Sequence, residues 1–204
     1  MKKIFLAIIL FFFCACVDET NKSKYDFNLQ GPNNKMYSLK DFKGKNLLIY
    51  FGYTLCADVC PTSMQIASQA LKELNKDDVL IIFISLDPKR DTADDATEFI
   101  QYFYPNSIAL VPNDDKEVGK ITEKYGAKYG YIYQKNINDG KGYNEKQNEK
   151  IKIEKFYKNN DNDYTVAHSS SFYIINAKWD YVGEITNLTL SNVKKKITEF
   201  LNKN

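Results

Sequence analysis

The segment Asn46–Met64, NLLIYFGYTLCADVCPTSM, constrains this chain more than any other. Asn46–Tyr53 is an apolar, β-rich run long enough for a buried strand. Thr54–Asp58 is the bend after it. From Pro61 onward, Met64, Ile66, Ala67, Ala70, Leu71 and Leu74 recur at helical spacing, which predicts a helix to about Leu74 with its proline tolerated in the first turn. The bend therefore carries Cys56 and the first helical turn carries Cys60. A helix N-terminus bears partial positive charge and favours thiolate, the form that binds metals and attacks disulfides. The location thus predicts activation of both cysteines. Their spacing, with Ala57, Asp58 and Val59 between them, places the sulfurs on one face, one turn apart. It permits a disulfide and equally suits two thiolates on one soft ion. On spacing alone a redox couple, a metal site and a structural clip all stay open.

The rest of the chain repeats the strand–helix rhythm. Val79–Leu86 reads as a second buried strand. DPKRDTADD follows, with Asp87 expected in a turn and Asp91 as the N-cap of a helix reaching about Tyr104. Ser107–Val111 is a short third strand. Asp114 or Asp115 caps a helix to Tyr125, with Gly126 as its stop. Upstream, Tyr25–Lys43 alternates weakly around GPNN and predicts an entry hairpin. Downstream, Ser171–Ile175 and Tyr181–Ile185 flank NAKWD as a second hairpin, with Trp179 as a packing residue. Leu190–Leu201 is a terminal amphipathic helix. Ala127–Asp163 breaks the rhythm and reads as an insertion rich in Lys, Asn, Tyr and Gly. Within it Ile151–Tyr157 alternates like a strand, Asn138–Lys150 offers almost nothing to bury, and Asp163 has no assigned role. The expected fold is α/β with a mixed central sheet flanked by helices. A strand, a cysteine-bearing bend and a helix in succession is the thioredoxin-like arrangement.

The N-terminus bears on the redox state of those cysteines. MKKIFLAIILFFFCAC has a basic start and a short apolar stretch, Ile4–Phe13, as a secretory signal does. At roughly 10 residues that stretch falls short of the ~20 needed to span a bilayer. Its FCAC ending resembles a bacterial lipoprotein signal. The expectation is a signal peptide over residues 1–15, a lipid-bearing Cys16, a polar tether over 16–24 and a folded domain over 25–204. The location expected is the bacterial cell envelope, facing the periplasm and held to the membrane by the lipid on Cys16. Of the four cysteines, Cys14 would leave with the signal and Cys16 would be acylated. One pair, Cys56 and Cys60, then remains, and an exported pair can form a disulfide. The formal net charge is +2, and Lys2 and Lys3 lie in the signal. The remaining chain is near neutral, so no nucleic-acid footprint is visible.

The proline after the second cysteine and the preceding YFGYT sharpen the motif. With KGKNLLIYFGYTLCADVCP, ISLDPKRDT and YTVAHSSSFYIINAKWDYVG in order, the chain resembles the Sco/SenC family of copper-binding, thioredoxin-like proteins involved in cytochrome c oxidase assembly. The resemblance spans roughly residues 25–204. It implies copper ligation, as Cu(I) and Cu(II), by Cys56, Cys60 and His168, the only histidine in the chain. His168 is expected in a loop beside the cysteine bend. The ligand set fits by softness, since thiolates favour Cu(I) and imidazole suits Cu(II), whereas zinc would lack its usual fourth protein ligand. The implied partners are a cytochrome oxidase subunit or another copper chaperone. Asp58 matches the motif and is a candidate for tuning the thiols or contacting a partner.

The chain also departs from the family pattern. Ala167 stands where an Asp usually precedes the histidine. Asn176, Ala177, Lys178 and Trp179 replace the usual Asp-Pro-x-Gly hairpin, and the insertion is long. The implied role is a metallochaperone rather than a turnover enzyme. The rival is a thiol–disulfide reductase in which Cys56 and Cys60 are catalytic and His168 is not required. A peroxide-activating enzyme lacks a dedicated residue set. No nucleophile elbow supports hydrolysis by Ser169–Ser171 beside His168.

Overall fold

The structure is a computed structural model and describes residues 24–133 and 164–201. The expected signal peptide, Cys16, and the Ile151–Tyr157 and Asn138–Lys150 segments lie outside the described residues.

Five strands form the central sheet: β3 (Leu47–Gly52), β4 (Leu80–Ser85), β5 (Ser107–Leu110), β8 (Phe172–Ile175) and β9 (Tyr181–Ile185), in the order β5-β4-β3-β8-β9. β3, β4 and β5 are parallel, whereas β8 and β9 run antiparallel. The sheet is mixed, as expected. Every residue of β3 and β4 is buried, as a central strand covered on both faces requires.

Alternation along β3 assigns the two faces. Tyr50 donates to Ser63 Oγ at 3.2 Å on one side, within α1 (Val59–Glu73). Phe51 points to the other side and packs edge-on against Tyr125 at 5.5 Å, at the end of α3 (Asp115–Tyr125). α4 (Leu190–Leu201) packs beside α1, and α2 (Ala93–Phe103) lies over β5. Asp114 caps α3 by accepting from the Glu117 N–H, and Gly126 ends it in the left-handed region at φ 73°, as expected. The entry hairpin is short, pairing β1 (Leu29–Gln30) with β2 (Met36–Tyr37).

Two expectations need correction. Thr92, not Asp91, caps α2 by accepting from the Asp95 N–H. Asp91 turns inward and is buried. The segment after Gly126 is also not wholly irregular: β6 (Tyr129–Tyr133) pairs antiparallel with β7 (Tyr164–His168) as a separate two-stranded ribbon. Gly130 and the tyrosine-rich composition masked β6. All of its residues are half-buried, so it lacks the apolar–polar contrast that marks a strand over a core. Among the described residues, no helix is long and apolar enough to cross a membrane.

Candidate metal centre

The Cys56–Cys60 segment folds as the local sequence demands. The Cys56 N–H closes a turn onto the Tyr53 carbonyl at 3.2 Å. α1 then begins at Val59 with Asp58 at its N-cap, whose side chain makes no capping hydrogen bond. Asp58 is exposed. Cys56 and Cys60 are free thiols, and Cys56 Sγ accepts from the Cys60 N–H at 3.4 Å. This bond uses one of the orphan N–H groups of the helix start.

Gly52 allows the first turn of α1 to sit directly on β3. A Cβ there would lie 2.8 Å from Cys60 Sγ and 2.8 Å from the Phe83 ring. No other residue fits without moving the sulfur.

His168 arrives from the opposite end of the chain. It ends β7 rather than occupying a loop. Tyr164, Val166 and His168 alternate toward the protein while Thr165 and Ala167 are exposed, the period-2 pattern of a strand over a core. The family's usual carboxylate at position 167 would therefore face away from the sulfurs, opposite Gly130 of β6. The imidazole stands edge-on to Tyr50 at 6.0 Å and to Tyr53 at 6.1 Å. His168 Nδ1 lies 3.1 Å from the Ser169 carbonyl and Nε2 lies 3.4 Å from Cys60 Sγ. A carbonyl can only accept, so Nδ1 carries the proton and Nε2 presents its lone pair to the sulfur. Burial also pushes the imidazole's pKa down, against the opposing Ser169 hydrogen bond. The ring is therefore neutral at pH 7, the form that ligates metals.

The sulfurs of Cys56 and Cys60 and a ring nitrogen of His168 lie within 4.8 Å of one another, the one such group of three found among the described residues. Two sulfurs and a neutral imidazole, oriented by a backbone carbonyl as metal-bound histidines commonly are, form a donor set for a soft or borderline cation. One electrostatic expectation is corrected. Burial pushes the Cys60 thiol well above its ordinary range, with Cys56 adding to the rise. At a fully buried sulfur, desolvation outweighs the helix N-terminus.

The sequence profile of the SCO1/SenC family matches residues 15–202. The chain belongs to the SCO1/SenC family. A SCO2-like protein of Rickettsia felis is 33% identical over 181 residues, covering 88% of this chain and 75% of the relative. The structure of Bradyrhizobium japonicum ScoI with copper bound is 28% identical, with a TM-score of 0.60 over 86% of this chain and 98% of that one. BsSco, described with a disulfide switch and as a member of the Sco family of cytochrome c oxidase assembly proteins, is 22% identical, with a TM-score of 0.54 over 85% of this chain and 90% of that one. These likenesses agree with the thioredoxin-like fold expected for a SCO1/SenC chain.

The charged DPKRD segment of this SCO1/SenC domain escaped sequence reasoning as part of the site's support. Asp91, 5% exposed, accepts from Thr54 Oγ1 at 2.5 Å, the Thr54 N–H at 3.2 Å and Ser85 Oγ at 2.6 Å. It thereby ties β4 to the bend two residues before Cys56. Burial raises its pKa above the ordinary carboxylate value, against the lowering effect of these bonds. Asp87, fully buried, closes the expected turn by accepting at its carbonyl from the Arg90 and Asp91 N–H groups.

Proposed function

We propose that this SCO1/SenC chain is a copper metallochaperone. It holds one copper between Cys56 Sγ, Cys60 Sγ and His168 Nε2 and exchanges it with a cytochrome oxidase subunit or another copper chaperone. The observation that carries this reading is the convergence of the three donor groups within 4.8 Å. The copper bound by the B. japonicum relative and the assembly role given for BsSco support it.

Two thiolates suit Cu(I), and an added imidazole nitrogen suits the harder Cu(II). The donor set is not closed, because Cys56 is 9% exposed whereas Cys60 is 0%. His168 is half-buried, so an incoming ligand from a partner would reach the Cys56 and His168 side first, while Cys60 retains the ion. Binding releases the Cys60 proton, so loading is favoured as pH rises.

The proposal places the domain outside the cytoplasm, on a lipid at Cys16 that tethers it to the bacterial cell envelope and faces the periplasm. Cys16→Ser should abolish lipid labelling and membrane association. Thiol–disulfide reduction by the same cysteines is the second reading, since the two sulfurs are free and adjacent. Raising the Cys60 thiol costs both chemistries a deprotonation, so the copper reading is preferred on the convergence of His168 with the two sulfurs, which the reductase does not need.

The test is titration of the reduced protein with Cu(I) and Cu(II), read by competition and by sulfur-to-copper absorption, beside a disulfide-reductase assay. One copper bound with high affinity and no turnover supports the chaperone. Efficient turnover with negligible binding supports the reductase. Protein oxidised to the Cys56–Cys60 disulfide should bind no copper, because thiolate is the ligand. His168→Ala should keep Cu(I) and lose most of its Cu(II) affinity.

A further inference from the structure

His168 is carried by a ribbon outside the central sheet, since among the described residues β6 and β7 pair as strands only with each other. The sheet register that fixes Cys56 and Cys60 through β3 does not reach it. β7 must be held at the correct depth by side chains, and Arg90 makes several of these contacts at its start.

Arg90 lies in the turn between β4 and α2, and only 14% of its side chain is exposed. Its Nε pairs with the Asp87 carboxylate. Its Nη1 donates 3.0 Å to the Tyr164 carbonyl, at the first residue of β7. The guanidinium lies over the Tyr164 ring at 3.8 Å and over the Tyr53 ring at 5.8 Å. The Tyr164 hydroxyl returns to Asp87 Oδ1 at 2.5 Å. One buried cation therefore touches the start of the strand that carries His168 and one of the two tyrosines against which the imidazole rests. Tyr164 and His168 share the inward face of β7, so the depth of Tyr164 sets the depth of the imidazole. Arg90 Nη2 is buried and finds no hydrogen-bond partner among the described residues. Leaving a charged donor unsatisfied is costly, and the contacts with Tyr164, Tyr53 and Asp87 offset that cost in this arrangement.

We propose that Arg90 is a positioning residue for the metal site: by pinning Tyr164 to the β4–α2 turn and backing Tyr53, it holds His168 Nε2 against the cysteine pair and so sets the site's preference between Cu(II) and Cu(I). This rests on the copper reading above. Arg90 touches none of the three donors. Its contacts with Tyr164 and the Tyr53 ring bear on His168, the ligand that matters most to the oxidised ion. Lysine cannot replace it, because an ammonium lacks the planar fork that pairs with Asp87, reaches the Tyr164 carbonyl and stacks on the ring together.

The experiment uses the reduced full-length chain, with Arg90→Lys and Arg90→Gln, each alone and combined with His168→Ala. Competition titrations with Cu(I) and Cu(II) are read beside the nitrogen hyperfine coupling of the Cu(II) form. Both single variants should lose roughly 10- to 100-fold in Cu(II) affinity, the usual size for an outer-shell partner of a metal ligand. They should weaken the nitrogen coupling and leave Cu(I) affinity unchanged. In the His168→Ala background neither substitution should lower Cu(II) affinity further, because their common route is gone. Equal losses in both oxidation states, an undiminished loss without His168, or full rescue by Arg90→Lys would each overturn the positioning role. If His168→Ala weakens Cu(II) binding and the Arg90 variants do not, this inference fails while the copper reading stands. If His168→Ala leaves Cu(II) binding intact, the copper reading fails first and takes this one with it.

Discussion

Gly52 and Asp91 do for the two cysteines what neither cysteine can do for itself. Gly52 leaves the space that Cys60 Sγ fills, 2.8 Å from where a Cβ would stand. Gly52→Ala should therefore push the first turn of α1 off β3. The expected cost is about 1–3 kcal/mol of stability, as for other overpacked cores, together with weaker copper binding. Chemical denaturation and a Cu(I) competition titration check the two effects separately. Asp91 holds the bend through Thr54, and burial raises its pKa. In the window between its unfolded value, about 3.9, and its raised folded value, the native state holds a proton that the unfolded chain has lost. Stability from this group is therefore fully present below the unfolded pKa and declines as pH rises through the folded one. Asp91→Asn removes that dependence. Urea denaturation from pH 4 to 7 should show the wild type losing stability relative to the variant as pH rises, and parallel curves would show that Asp91 does not titrate in this way.

At the scale of elements, the molecule divides its donors between a rigid part and an attached one. β3 and α1 belong to the sheet core, where parallel and antiparallel neighbours fix the register of β3. The β6–β7 ribbon is fastened by side chains. Besides the Arg90 contacts, the Tyr131 hydroxyl donates to the Leu86 carbonyl at 2.8 Å and lies 3.0 Å from Asp115 Oδ1. Tyr131→Phe should cost about 1 kcal/mol, the usual net worth of such a bond. It should also speed amide hydrogen exchange in Tyr164–His168 while leaving β3 and β4 protected. Uniform acceleration across all strands would mean that the ribbon opens only with the whole domain. The β8–β9 turn shows the opposite strategy, a local one. Asn176 Oδ1 accepts from the Lys178 and Asp180 N–H groups, each at 2.9 Å. That turn places Trp179 at φ 70°, the left-handed region a glycine takes without strain. The family's glycine is thus missing where the backbone still needs its conformation.

For the whole molecule, copper held as proposed would act as a clip between distant parts of the chain. A ligand that binds only the folded state at 100 times its Kd adds about 2.7 kcal/mol. For a domain of this size that raises the melting temperature by about 5–10 °C. Cu(I) should produce this shift in the reduced wild type and not in Cys60→Ser, as calorimetry can measure; equal shifts in both would place the metal elsewhere. By itself the sequence determined the local parts. The apolar run of β3, the bend, the periodicity of α1 and the cap-and-glycine bounds of α3 are written in short windows of residues, and they placed Cys56 and Cys60 correctly. The resemblance of short motifs added His168. What only the tertiary structure decided was how these parts meet. Cys60 and His168 are 108 residues apart in sequence and 3.4 Å apart in space, through a ribbon whose first strand has no clear apolar alternation. The same packing turned Asp91 from a supposed cap into a buried acceptor and raised the Cys60 thiol where the helix start alone predicted a thiolate. Desolvation depends on every neighbour that excludes water, and no short window of sequence contains them all.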